Sequence, residues 1–282
     1  MRVAKLHSLG NDFLIIDEGE TNPISEKGAL ARRICDRHTG IGSNCLLLIS
    51  SKERERDLFN FSVYNADGTE AELSGNGMRC AAAYLNFREK SKSPRILFST
   101  KVGERECALI SRNNNLFQIK TDMGVPKFKA KDIPFDDGSD HERIVDYPLP
   151  IQKKIYEITL VSVGNPHCCI FVDRFPSRIE WHQIGYEIEY HPFFPKRVNI
   201  EFIRVLNRQD IEVLFWERGI GETLSSGSGS CAAAAASILK NLTDRQVNIK
   251  TSTGNLTVEW EKEKVYQTGP AVVVFEGEYL VN

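Results

Sequence analysis

The chain has 282 residues, a formal net charge of −2, 41% hydrophobic and 26% charged residues. That length suits one large domain or two of middling size, and the composition supports a buried core, which excludes disorder and collagen-like repeats. The near balance of 36 basic and 38 acidic residues argues against a dedicated nucleic-acid binder, and no apolar run approaches the roughly 18 residues of a membrane span.

The opening Met1-Arg2-Val3-Ala4-Lys5-Leu6 alternates like a strand and lacks the long apolar core of a signal peptide. It leads into Ser8-Leu9-Gly10-Asn11-Asp12 and the apolar Phe13-Leu14-Ile15-Ile16, which predicts a strand, a Gly-Asn turn and a second strand. Further on, Tyr64-Asn65-Ala66-Asp67-Gly68-Thr69-Glu70 precedes Ser74-Gly75-Asn76-Gly77. The strong helix formers Met78-Arg79-Cys80-Ala81-Ala82-Ala83-Tyr84-Leu85 follow. Residues 95–100 and 116–120 read as strands from their β-branched and aromatic content, and 127–150, polar and Pro-bearing, reads as connector.

After a strand over 155–160 the pattern returns. Ser162-Val163-Gly164-Asn165-Pro166 precedes His167-Cys168-Cys169-Ile170-Phe171, at an offset of 154 between Asn11 and Asn165. Trp216-Glu217-Arg218-Gly219-Ile220-Gly221-Glu222 precedes Ser226-Gly227-Ser228-Gly229 and an alanine-rich run, at an offset of 152 from the first copy. Two features matched in order at nearly one spacing predict two halves of similar fold. Neither alanine-rich helix has a polar face in its first turns, so each is expected inside its half, wrapped by strands such as 211–215, 256–260 and 271–275. The expected division puts 1–120 and 268–282 in one half and 121–267 in the other.

Chemistry is expected at the two helix starts. A helix N-terminus offers unpaired N–H groups and positive partial charge, and the glycines let backbone approach a ligand. If the halves face each other, a small zwitterion lies between the helix starts. Gly75, Asn76, Gly227 and Ser228 open the helices, while Asn11, Asn65, Asn165 and Asn199 supply neutral donors and acceptors. Glu217 suits an ammonium group and Arg218 a carboxylate. One Ser-Gly-x-Gly alone reads equally well as a turn and N-cap, and His167 alone as a core histidine. Recurrence in both halves favours the ligand reading.

No Lys-Ser/Thr follows the glycines, no Rossmann fingerprint is present, and the six histidines lack metal-ligand spacing. No metal and no organic cofactor are expected. The seven cysteines contain no CxxC pair and read as reduced thiols of a cytosolic protein.

At these residues the sequence resembles the diaminopimelate epimerases along the whole chain. Leu9-Gly10-Asn11-Asp12-Phe13, Asn65-Ala66-Asp67-Gly68, Gly75-Asn76-Gly77-Met78-Arg79-Cys80, Gly164-Asn165-Pro166-His167, Val198-Asn199-Ile200-Glu201-Phe202, Glu217-Arg218-Gly219 with Gly221-Glu222-Thr223-Leu224, and Thr268-Gly269-Pro270-Ala271 carry the resemblance. It implies an α+β fold of two pseudo-symmetric halves, each a β-barrel-like sheet around a central helix. It implies cofactor-independent proton transfer at Cα that interconverts LL- and meso-diaminopimelate in lysine and cell-wall synthesis. A cysteine thiolate would take the proton on one face and a cysteine thiol return it on the other. By the resemblance Ser74, Ser226, His167 and Glu217 are the catalytic candidates, and a homodimer is expected.

The departure lies at the bases themselves: the family's two cysteines fall at Ser74 and Ser226. A serine hydroxyl is a far weaker acid than a thiol and needs an adjacent base, and no His, Lys or Asp stands beside either serine in sequence. Cys80 and Cys231, six and five residues downstream, lie roughly 7–9 Å along a helix and are no obvious substitute. Cys45 replaces a glycine or glutamine that helps to hold substrate, and Ser228 stands where threonine is usual. Three readings stay open: replacement of both cysteines in an otherwise intact epimerase, a catalytically silent paralogue that binds an amino acid, and a different racemase or isomerase reaction of the proline-racemase or PhzF type.

Overall fold

The continuous apolar runs become strands buried on both faces, because helices cover the sheet from either side. The computed structural model describes residues 1–280. Two units divide the chain, Met1–Asp122 with the described residues from Thr268 on, and Met123–Gln267.

In the first unit, strand Arg2–Ser8 lies antiparallel to both Asn11–Asp17 and the long strand Lys264–Glu278. Asn11–Asp17 runs parallel to Cys45–Glu53, which hairpins to Leu58–Asn65, and Leu58–Asn65 then pairs with Arg95–Thr100. Helix α1 (Lys27–Ile34) packs Leu30, Ala31 and Ile34 onto Leu14, Ile16, Leu46 and Leu48 on one face of the sheet. Helix α2 (Gly75–Phe87) lies against strands of the same unit, with residues 75–85 all buried.

The second unit repeats the scheme. Pro166–Phe171 runs parallel to Asn199–Val205, which hairpins to Asp210–Glu217, and that strand pairs with Gln246–Thr251. Helix α3 (Arg178–Glu189) takes the place of α1, burying Trp181, Ile184 and Ile188 against Ile200 and Phe202. A Ser177–Glu180 capping box starts it. Helix α4 (Gly227–Leu239) takes the place of α2, buried almost along its whole length among strands of its unit. The molecule is thus α+β, with a barrel-like sheet and few helices. Among the described residues no helix is long and apolar enough to cross a membrane.

The stretch 127–150 departs from the connector reading. Ala130, Ile133, Phe135, Ile144 and Leu149 join the second unit's core, and Tyr147–Ile151 is a strand paired with Lys154–Ser162. Pro148 and Pro150 misled the reading. Both fall in one phase of the strand, so the residues in the other phase keep their N–H groups for pairing.

Candidate active site

Registers align the two units residue by residue. Phe13 pairs with Cys45 and Cys45 with Asn65; His167 pairs with Asn199, and the register Ile200↔Trp216 sets Asn199 against Glu217. Phe13 and His167, Cys45 and Asn199, and Asn65 and Glu217 are therefore equivalent positions, as are Ser74 and Ser226 at the helix starts.

In the first unit the half-buried Ser74 has an extended backbone, and its Oγ accepts the Gly77 N–H at 3.0 Å. The Met78 N–H bonds to the Ser74 carbonyl at 2.8 Å, which leaves the Gly75 and Asn76 N–H groups without an intrahelical acceptor. A polar chain underlies this end. Asn76 Nδ2 donates to Asn11 Oδ1 at 3.1 Å, and the fully buried Arg79 donates to Asn76 Oδ1. Arg79 Nη2 also donates to Ser8 Oγ at 3.0 Å, and Ser8 donates to the Pro270 carbonyl at 2.7 Å.

Asn11 Nδ2 reaches Asn44 Oδ1 at 3.3 Å, and the Asn44 N–H donates to Asp12 at 2.9 Å. Burial pushes the Asp12 carboxyl up, but hydrogen bonds from Arg37 and Lys5 outweigh this and hold it below the usual range. Beside them Cys45 Sγ donates to Asn65 Oδ1 at 3.6 Å, and Asn65 Nδ2 donates to Thr69 at 3.0 Å. Cys80 lies fully buried within α2, and burial drives its thiol far above the ordinary value, so it supplies no thiolate.

The second unit is built alike but charged differently. Ser226 Oγ accepts the Gly229 N–H at 3.2 Å, and Ser230 N–H bonds to the Ser226 carbonyl at 3.0 Å, so the Gly227 and Ser228 N–H groups are the open pair. The buried Gln267 side chain anchors the helix start by donating to the Gly227 carbonyl at 2.9 Å.

His167 is wholly buried. Its Nδ1 lies 2.7 Å from Glu201 Oε1 and its Nε2 lies 2.9 Å from Asn165 Oδ1, while Asn165 Nδ2 donates to Ser228 Oγ at 3.3 Å. Burial raises the Glu201 carboxyl, and His167 opposes this. Burial likewise raises the Glu217 carboxyl, against a hydrogen bond donated by Thr223 at 2.9 Å and the pull of His167. Asn199 Nδ2 donates to the Pro166 carbonyl at 2.8 Å, and its Oδ1 accepts the Arg218 N–H at 2.9 Å.

The two units differ in charge at equivalent positions. Where the second unit has the His167–Glu201 pair and Glu217, the first has Phe13, the apolar Leu47 and Asn65. Among the described residues no three His, Cys, Asp or Glu side chains converge as metal ligands do, and no disulfide links any of the cysteines.

The family model for diaminopimelate epimerase matches residues 3–129 and 159–274. The chain belongs to the diaminopimelate epimerase family. It is 39% identical to the diaminopimelate epimerase of Acetivibrio thermocellus, over 100% of this chain and 99% of that protein. It is 40% identical to those of Pelotomaculum thermopropionicum, over 99% of both chains, and Pseudomonas entomophila, over 99% of this chain and 98% of that one. In fold it is similar to a phenazine biosynthesis protein of the PhzF family from Bacillus anthracis, with a TM-score of 0.69 at 18% identity over 100% and 99% of the two chains. It is also similar to a hydroxyproline epimerase from Agrobacterium vitis, with a TM-score of 0.72 at 13% identity over 98% and 91%.

Sequence reasoning passed over Glu201 and Arg79 as site residues, although both fall inside quoted motifs. A buried side chain's partner lies far along the chain, and no local pattern names it. Helix α3 was missed altogether, although the Ser177-x-x-Glu180 capping box does signal its start.

Proposed function

We propose that this chain binds diaminopimelate and is an epimerase by architecture whose proton transfer is slowed by serine at both base positions. The observation that carries the reading is the Glu217 carboxyl itself, which holds the register position that Asn65 holds in the first unit. A carboxyl can hold or take a proton; a carboxamide cannot.

The roles follow from chemistry. The Gly75 and Asn76 N–H pair and the Gly227 and Ser228 N–H pair each suit a carboxylate, Arg218 suits a second, and Glu217 suits an ammonium group. Removing the α-proton puts charge into the adjacent carboxylate as an enediolate, which the positive helix end stabilises. The new C–H bond forms when an acid on the opposite face delivers a proton. A thiol capped by a helix N-terminus approaches neutral pKa and serves either step, whereas a hydroxyl stays far too basic once ionised to give its proton up readily. Asn11, Asn65, Asn165, Asn199 and Cys45 complete the ligand contacts in this reading.

Uptake of solvent deuterium at Cα of diaminopimelate tests it across all four Ser/Cys combinations at 74 and 226. The Ser/Ser chain is expected to be nearly inactive, either single restoration to recover little, and the double restoration to gain orders of magnitude. Equal rates in the Ser/Ser and Cys/Cys forms would overturn the assignment of these bases. Binding without exchange in the Cys/Cys form would make the chain a silent amino-acid binder.

A further inference from the structure

The two residues that flank Glu217 and Arg218 hang on one carboxylate. Glu189, the last residue of α3, is 2% exposed. Its Oε2 accepts the Trp216 indole N–H at 2.8 Å and its Oε1 accepts the Gly219 backbone N–H at 2.8 Å. Arg197 stands 3.7 Å from Oε1 and stacks over Tyr190. A buried carboxylate is costly unless donors surround it, and here two of its donors bracket the Glu217-Arg218 pair.

The surroundings leave the bracket little freedom. Trp216 lies against Gly185, where a Cβ would come within 2.8 Å of the indole, and it meets Trp181 edge-on. Gly219 has φ +77°, a conformation that favours glycine. The same segment that follows Glu189 holds the rest of the turn: Asn199 takes the Arg218 N–H, and the Lys196 carbonyl accepts Arg218 Nη1 at 3.2 Å.

We propose that Glu189 is a positioning residue: by accepting from Trp216 and Gly219 at once, it presets the turn that aims Arg218 at a ligand carboxylate. The aim rests on the functional reading above; the clamp itself does not. Glu189→Gln is the test, because the amide keeps one acceptor but turns an NH2 toward the other donor at nearly constant volume.

Hydrogen exchange should quicken about tenfold at residues 217–221, with α4 and the first unit unchanged, and Trp216→Phe should loosen the same residues by removing one donor. Calorimetric affinity for diaminopimelate should fall about tenfold in Glu189→Gln, yet by less than about twofold when Arg218→Ala is already present. Unchanged exchange at 217–221 in both variants would overturn the clamp, and equal affinity losses with and without Arg218 would overturn the positioning role. If the parent chain takes no diaminopimelate, the functional reading fails while exchange still decides the clamp.

Discussion

Oxygen and sulfur differ little in size and greatly in acidity, so Ser74 and Ser226 preserve the caps of α2 and α4 while changing what the caps can do. Restoring cysteine trades one property for the other. Each Ser→Cys change weakens a helix cap, at a cost of up to about 1 kcal/mol in thermal unfolding, while proton exchange rises only once both are made. At the same scale, Arg218→Ala should lose several-fold in calorimetric affinity for diaminopimelate; undiminished binding would remove Arg218 from the contacts.

Glu217 yields a prediction with a definite sign. Its folded carboxyl lies above the ordinary 4.5, chiefly through burial. Its contribution to stability is therefore present below 4.5 and is lost as pH rises toward the folded value, because the unfolded chain ionises first. Glu217→Gln should flatten the fall in Tm over that interval and be more stable than the parent at neutral pH, and in the Cys/Cys form it should lower exchange activity. A steeper fall would contradict the burial of this carboxyl. The candidates that recurred, the two serines, the glycines that follow them and the Asn11/Asn165 pair, were legible in sequence. Glu189 and Glu201 were not, since Glu189 reaches Trp216, 27 residues away, and Glu201 reaches His167, 34 residues away.

Among the elements, the repeat and its drop in offset were readable in sequence, but where the drop falls was not. Twenty residues separate Cys45 from Asn65 and eighteen separate Asn199 from Glu217, so the first hairpin is two longer and the offset drops from 154 to 152 within it. A bulge near Ser51 and a 3-10 turn at Arg54–Arg56 take up the extra length. The helix glycines test how tightly each start is packed. A Cβ on Gly229 would come within 2.6 Å of Glu201 Oε1 and 2.8 Å of Phe215, whereas one on Gly77 would meet Ser74 Oγ at 3.1 Å and the end of Leu47 at 3.2 Å. Gly229→Ala should cost about 1–3 kcal/mol in urea unfolding. Gly77→Ala should cost less, because the Leu47 methyl can yield; the reverse order would refute this packing.

At the scale of the whole molecule, one unit is a continuous stretch of chain and the other is not. The first strand, Arg2–Ser8, has a partner in Lys264–Glu278, and Ser8 leans on the Pro270 carbonyl. During synthesis on the ribosome the N-terminal half must therefore wait, with Arg2–Ser8 lacking one neighbour, until residues beyond 267 emerge. The later-made unit can close first, reversing the usual order in which the earlier domain folds first. Closing so long a loop adds little to its entropic cost, which grows only with the logarithm of length, so the delay is one of timing rather than stability. Nascent chains stalled with Gln267 just clear of the exit tunnel should resist protease across 123–267 and be cut within 1–122. Fifteen more residues should protect both.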